Sequence, residues 1–357
     1  MLERFGQRKH ALPIVLIVLF FCVFGLIMYP LLHASPKDVP FLMVSLDEGV
    51  TTPAGQINLG KEISGKISDA PESPLAWTLL DSQAALDEAL ATNDYYGAVV
   101  IPSDFSAKQL AAQQGMGEAP SVKVIINQGK NVMLATTMQA AIAAMMGQAG
   151  ITAEVTLINA ADIGGGGMAA LMSGNVLVMP IILMSALCSI LLFLIYRPKS
   201  GASTVERLTA YGKQLAYTAV LSFLVAAAAV LLVSWIGGMG IPTGTILLFS
   251  WLASFCIITL FIGTLSLALP LGVLVILTCF ALGMSSAMLA PEMMPTFWRD
   301  WVYPWVPQRF VSQGASQIIY MGKGAWNTAS GPLLINAGIG LLFMLIASII
   351  PTRAVGD

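Results

Sequence analysis

Apolar residues gather into long runs towards both ends of the chain. Between them, from about residue 34 to 172, lies a stretch of mixed polarity. Ala11 to Leu32 is the first run, Asn175 to Tyr196 the second and Pro332 to Ile350 the last. From Gln214 to Pro291 there is no Asp, Glu, Lys or Arg. A helix needs roughly 20 apolar residues to cross the ~30 Å hydrocarbon core, so this charge-free run holds three helices. Breaks at GGMGIPTG (Gly237 to Gly244) and at Pro270 place them at about 213–236, 244–266 and 269–290. The pattern predicts six spans. Residues 1–33 carry the N-terminal segment and the first span, 34–172 form a separate domain, and 173–357 carry the other five spans. Within the last part, 197–213 reads as a loop and 291–331 as an aromatic, Pro-rich segment.

The middle stretch changes period from helix-like to strand-like and back. Strands are expected at PFLMVSLDEG (Pro40 to Gly49), LAWTLLD, YYGAVVIP and SVKVIINQG. Helices are expected at INLGKEISGKI, at SQAALDEALATN with a cap at Asp81 or Ser82, and at SDFSAKQLAAQQG. A fourth helix, Asn131 to Ala149, places Leu134, Met138, Ile142 and Met145 along one face. Strands alternating with such helices predict an α/β domain with crossovers. The tandem glycines Gly164 to Gly167 read as a hinge between this domain and the next span.

Composition agrees with a membrane protein: 57% of residues are hydrophobic, 10% are charged and the mean hydropathy is +0.80, against about 25% charged in soluble domains. A net charge of −2 gives no reason to expect a nucleic-acid partner. Arg4, Arg8 and Lys9 before the first run resemble the start of a signal peptide. The run is too long for one and lacks a clean cleavage site, so it is read as an uncleaved helix. With six spans, Arg4, Arg8, Lys9, Arg197, Lys199, Arg207, Lys213 and Arg353 all fall on one side, and the positive-inside bias makes that side the cytoplasm. Arg299, Arg309 and Lys323 form a weaker counter-signal. Residues 34–172 are then extracytoplasmic. Cys22, Cys188, Cys256 and Cys279 all fall inside expected spans, where they act as small apolar residues rather than a disulfide framework.

The stretch GQINLGKE (Gly55 to Glu62) has the glycine and lysine spacing of a phosphate-binding loop, but ends in Glu62 where a Mg²⁺-binding hydroxyl is needed. A carboxylate there repels phosphate, and the extracytoplasmic side is poor in ATP. No His/Cys/Asp cluster has metal-ligand spacing. His10 and His33 flank the first span, and Asp47–Glu48 and Asp87–Glu88 are neighbours that point apart. No catalytic, cofactor or metal site is expected in this chain.

Three segments resemble ABC-2-type membrane proteins. DSQAALDEALATNDYYGAVVIPSDFS leads from a helix into a strand ending Ile101, Pro102, Phe105 and Ser106. VSLDEGVTTPAGQINLGKEI is similar to the first external motif of the phage infection protein (YhgE/Pip) branch, with Glu48, Gly49, Gly55 and Gly60 in the matching places. APEMMPTFWRDWVYPWVP looks like the stretch after the fifth helix of ABC-2 permeases. The longer coiled external region of many phage infection relatives is missing from this sequence.

The resemblance implies a permease dimer driven by separately encoded cytoplasmic ABC ATPase subunits, with ATP bound by those partners. The residues point the same way. No expected span carries an acid, Lys or Arg in its middle, so there is no sign of the internal relay that ion-driven transporters use. Arg197, Glu206 and Arg207 in the 197–213 loop are the candidate ATPase-coupling residues, with MLERFGQRKH as a second cytoplasmic handle. Pro291, Glu292, Pro295, Trp298, Trp301 and Trp305 are the candidate external gate, in a segment whose Trp and Tyr also suit an interfacial anchor. The expected cargo is amphipathic or lipid-like, and the expected location is a bacterial cytoplasmic membrane with both termini inside. The alternative is a non-transporting envelope receptor or secretion scaffold.

Overall fold

The computed structural model describes residues 17–350 apart from positions 19, 54, 69–72, 149, 161–174, 200 and 237. MLERFGQRKH, Gly164 to Gly167 and Arg353 lie outside the described residues. The chain divides into two compact units, Ser35–Asp162 and the rest. The first has the alternating strands and helices of an α/β unit, and the expected bound at 172 lies outside the described residues.

Its elements in chain order are β1 (Val39–Ser45), β2 (Val50–Thr52), β3 (Gly55–Ile57), α2 (Leu59–Ser68), β4 (Leu75–Leu80), α3 (Gln83–Ala91), β5 (Gly97–Ile101), α4 (Phe105–Gln113), β6 (Ser121–Asn127), α5 (Val132–Gln148) and β7 (Thr152–Ile158). Five strands form one sheet in the order β4-β1-β5-β6-β7, and β2 pairs with β3 as a small hairpin. β1 runs parallel to β4 and β5, β5 antiparallel to β6, and β6 parallel to β7. Burial follows position in the sheet. Every residue of β5 is buried, whereas β4 and β7 at the edges have no buried residue and expose several. Leu86 and Leu90 of α3 pack on Leu42, Val44, Ala98 and Val100.

Two elements differ from expectation. The β2–β3 hairpin was not foreseen because three-residue strands carry no measurable period. β7 was not foreseen because an edge strand buries only part of one face. On α5 the inward methionines are Met138 and Met146, not Met145.

A buried aspartate organises the start of the sheet. Asp47 follows β1, and its Oδ2 accepts from Gly60 N at 2.9 Å. Its Oδ1 accepts from Ser106 N at 3.0 Å and Gly49 N at 3.3 Å. The Ser106 hydroxyl also donates to Oδ2 and accepts from Leu59 N at 2.8 Å. One carboxylate and one hydroxyl thus satisfy free N–H groups at the starts of both α2 and α4. The anion that the phosphate-loop spelling invites is the chain's own side chain. Close approach explains the glycines: a Cβ on Gly60 would lie 2.6 Å from Asp47 Cβ, and Gly49 sits at φ 73°. Burial works against the charge on Asp47. The hydrogen bonds from the Ser106 side chain and backbone, Gly60 and Gly49 outweigh it and hold the carboxyl below its ordinary value of 3.8.

At the opposite end of β6, buried Asn127 fills its bonding capacity. It donates to Asn93 Oδ1 (2.7 Å) and Tyr95 O (3.0 Å), and accepts from Gly129 N (3.0 Å) and Asn159 Nδ2 (2.9 Å).

The second unit is helical. α1 (Phe20–Leu32) is followed, after the α/β unit, by α6 (Val178–Tyr196), α7 (Thr204–Leu231), α8 (Thr243–Leu267), α9 (Leu269–Met288), α10 (Pro307–Met321) and α11 (Ser330–Ile349). Five of these, α6 to α9 and α11, are long and apolar enough to cross a membrane. The sixth expected span, Ala11 to Leu32, is described only in its second half, and α1 alone is too short to cross. The expected loop 197–213 is corrected to 197–203. The helix begins at Thr204 because Ser203 and Glu206 cap it there, so the charged residues that suggested a loop form its first turns.

α8 is the central helix, touching α6, α7, α9, α10 and α11. It meets α11 backbone to backbone. A Cβ on Gly263 would lie 2.1 Å from Gly340 O, and one on Gly340 would lie 2.2 Å from Thr259 O. Small residues permit such approach in membranes. Against α10, Gly314 lies under the Phe249 ring, leaving no room for a Cβ.

Two outcomes follow for the full-length protein in detergent. Gly340→Val has to push α11 off α8 and is expected to cost at least about 1–3 kcal/mol, read as a lower melting temperature. Asp47→Asn leaves buried N–H groups without a charged acceptor and is expected to cost about 1–3 kcal/mol, read as faster hydrogen exchange across 59–68 and 105–113. Because the folded pKa of Asp47 is lowered, its stabilising effect is complete above the ordinary carboxylate pKa. It is lost as pH falls through the lowered folded value. The wild type should therefore lose that protection in acid, while Asp47→Asn should show no matching acid step.

Candidate functional site

Charged residues of the helical unit meet where the spans end. Ser203 N-caps α7 in a capping box: Glu206 N donates to Ser203 Oγ at 3.3 Å, and Glu206 Oε2 accepts from Ser203 N at 2.7 Å and Ser203 Oγ at 2.9 Å. One residue on, Arg207 turns inward and is 5% exposed. Its Nε donates to Ala202 O at 3.0 Å and its Nη1 to Ile350 O. An arginine on the first turn of α7 therefore holds the Ile350 carbonyl at the end of α11, the helix end where a cation is favourable.

Around this tie is a cavity of about 610 Å³ lined by Arg197, Lys199, Arg207, Tyr211, Ser266 and Leu269, among others. The ends of α6, α8 and α11 and the starts of α7 and α9 all reach it. Consecutive long helices thus run in alternate directions through the unit, with Arg197, Lys199 and Arg207 at one end. A smaller cleft of about 330 Å³ lies beside it, lined by Tyr196, Arg197, Val205, Glu206, Thr209, Ala210 and Lys213. Val205 there is 72% exposed.

From Arg207 a polar stripe runs inward along the buried face of α7: Tyr211, Gln214, Thr218 and Ser222. Their spacing of three and four is that of a helix face packed on its neighbours. Gln214 is fully buried, and neither end of its amide has a hydrogen-bond partner. The hydroxyls of Ser185 on α6 and of Ser250 and Ser254 on α8 are also buried and unpartnered.

At the other end of the helices lies the Pro- and aromatic-rich segment. Pro291–Met293 is a single 3-10 turn containing Glu292, and Trp298–Val302 a π turn. Of the expected gate residues, Trp298 alone among the tryptophans is buried, stacked on Tyr29 of α1 with ring centres 5.2 Å apart. Trp301 and Trp305 are exposed, and Trp305 Nε1 donates to Trp301 O at 2.7 Å. Pro295 and Trp298 line an open apolar groove of about 790 Å³ with Phe21, Cys22 and Tyr29. Within the expected gate, Pro295 and Trp298 share one groove and Trp301 and Trp305 are joined by a hydrogen bond. Trp298 anchors, whereas Trp301 and Trp305 face outward.

Gln308 fixes this segment to the spans, donating to Cys279 O of α9 at 2.7 Å above Gly283, where a Cβ would strike its amide. Ser312 Oγ lies 2.5 Å from Asn175 Oδ1 and 3.0 Å from Ala287 O. Neither Gln308 nor the Gln214 stripe was foreseen. The helical spacing of Arg207, Tyr211, Gln214, Thr218 and Ser222 was the available signal, and reading 197–213 as a loop cut Arg207 and Tyr211 from it.

Among the described residues, no group of His, Cys, Asp and Glu could hold a metal ion. The four cysteines are free.

A helical membrane unit with this order of parts defines a multi-pass membrane protein. Residues 11–349 match the ABC-2 family transporter protein, and the chain belongs to that family. Searches of curated proteins and of solved structures return no match. Membership makes the chain a membrane transporter subunit of a class that works with an ABC ATPase.

Arg207→Gln, which frees the carbonyls of Ala202 and Ile350, is expected to cost about 1–3 kcal/mol. Ser203→Ala, which removes only the cap, should cost about 1 kcal/mol. Thermal unfolding of the purified protein checks both. Equal melting temperatures for Arg207→Gln and wild type would show that the tie to α11 contributes nothing.

Proposed function

We propose that this chain is the permease through which a separately encoded ATPase drives an amphipathic or lipid-like substrate out of the cytoplasm. The observation that carries the reading is the charge distribution along the spans. From Gln214 to Pro291 there is no Asp, Glu, Lys or Arg, and the charges on α7 sit in its first three turns. An ion-driven carrier uses ionisable groups at membrane depth, so here the energy comes from a partner. That partner carries the ATP, and no catalysis is assigned to this chain.

In this reading the end of the helices bearing Arg197, Lys199, Arg207 and Lys213 faces the cytoplasm of a bacterial cell, in line with the positive-inside bias. The ATPase docks on the cleft of Arg197, Val205, Glu206 and Lys213, which offers an exposed apolar residue ringed by charges. Arg207 lies behind that surface and carries motion to α11. Two permease subunits pair, the α/β unit faces outward, and the 291–331 segment closes the outer end, with Trp298 as its hinge point on α1. The acidic turn at Glu48 with Gly49, Gly55 and Gly60 is the motif that favours the phage infection branch of the family.

The test is purification from native membranes with identification of what accompanies the chain. A stoichiometric P-loop ATPase is expected. Val205→Glu should lower its recovery and the ATP hydrolysis of the complex by at least about tenfold at an unchanged melting temperature. Recovery of envelope proteins alone, with no ATPase, would overturn the reading in favour of a scaffold.

A further inference from the structure

The cavity at the ends of α6, α7, α8, α9 and α11 has a chemistry that packing does not use, and it shares only Arg197 with the cleft proposed to receive the ATPase. Arg197 and Lys199 line it and are exposed, and Arg207 adds a third positive charge from its wall. Among the described residues no Asp or Glu lines it. Glu206 belongs to the neighbouring cleft and is engaged by Ser203.

Two further features lie in the same wall. α9 starts there at Leu269 with no side chain capping it and no acid in its first turn; Pro270 has no N–H, so the N–H groups of Leu269 and Leu271 present the partial positive charge of the helix start. Ser266 is also a lining residue, and its Oγ is buried without a hydrogen-bond partner. Cations, an uncapped helix start and a spare hydroxyl converge on one space, and all suit an anion with several oxygens.

The remaining wall says what carries that anion. Phe193, Leu265 and Leu269 are apolar, and the cavity opens where the membrane-spanning helices end, the depth of lipid head groups. Its volume of about 610 Å³ is within the roughly 300–1,000 Å³ of small-molecule sites. We propose that this cavity binds the phosphate head group of an anionic phospholipid, with Arg197 and Lys199 on the phosphate and the apolar wall along the start of an acyl chain. The lipid then bridges α6 to the α8–α9 turn beside the Arg207–Ile350 tie.

The test uses the full-length protein in detergent, analysed by native mass spectrometry with dioleoylphosphatidylglycerol, dioleoylphosphatidylcholine or inorganic phosphate. The anionic lipid should be retained about tenfold better than the zwitterionic one with the same chains. The double variant Arg197→Gln/Lys199→Gln should lose that preference at an unchanged melting temperature, since both side chains are exposed. Millimolar inorganic phosphate should leave the bound lipid in place. Equal retention of the two lipids, a double variant that still prefers the anionic one, or displacement by inorganic phosphate would each overturn the proposal. The measurement contains no ATPase, so its failure is separate from failure of the proposed export function.

Discussion

From Cys256 to Leu265 every residue of α8 is buried, and the rest of the helical unit is arranged to make that possible. A helix surrounded on all sides needs neighbours that come close, and within a membrane there is no water-driven collapse to force them together. Contact therefore rests on backbone approach. Gly263 and Gly340 bring α8 and α11 together with no room for a side chain on either, and Gly314 makes space for Phe249. Once α8 is enclosed it need not be uniformly oily. Thr259 and Thr264 bond back to carbonyls of their own helix, a local solution that leaves the packing surface intact.

The two units meet the same problem, free backbone groups at helix ends, by different means. In the α/β unit one buried carboxylate gathers the starts of α2 and α4, and water around the domain tolerates the charge. In the helical unit the corresponding work at the end of α11 falls to Arg207, an inward-turned cation on the first turn of α7. In each case a single ionised side chain joins elements far apart in sequence: Asp47 reaches Ser106, and Arg207 reaches Ile350. A buried charge removed from one partner leaves the other groups stranded, so these two residues are where each unit is most sensitive.

Much of this was legible in the sequence because apolar length and alternation are averages over many residues. The long runs placed four of the spans to within three residues, while the fifth, α7, begins nine residues before its expected start, and the all-apolar GAVVI run marked the centre of the sheet. What was hidden depends on single contacts or on direction. β5, α4 and β6 read as one more parallel crossover, yet β6 returns antiparallel, and no residue pattern distinguishes the two. The start of α7 was misplaced because Glu206, Arg207 and Lys213 look like a loop by charge alone. Only the Ser203–Glu206 cap shows that the helix begins before them. The Pro-rich segment was legible as an interfacial element, but which tryptophan faces inward was not. That choice is made by Tyr29, from a distant part of the chain.

The tie between α7 and α11 also bears on how a chain with so few membrane charges can be driven. If the ATPase docks where proposed, its motion enters at the capped first turn of α7, which the Ser203–Glu206 box keeps helical to its end. Arg207 lies in that turn and holds the end of α11, so the start of α7 cannot shift without moving the end of α11 or breaking a buried hydrogen bond. α11 in turn is locked to α8 at Gly340, where backbones touch and slippage is resisted by direct overlap. Ahead of the moving turn lie Gln214, Ser185, Ser250 and Ser254, buried polar groups with no partner in this arrangement. Unmet polar groups raise the energy of the state that contains them, so a displacement of α7 that pairs them is opposed less than one through a fully satisfied core. Stiff contacts at Arg207 and Gly340 and unmet polar groups on α6, α7 and α8 together suit the driven bundle proposed above.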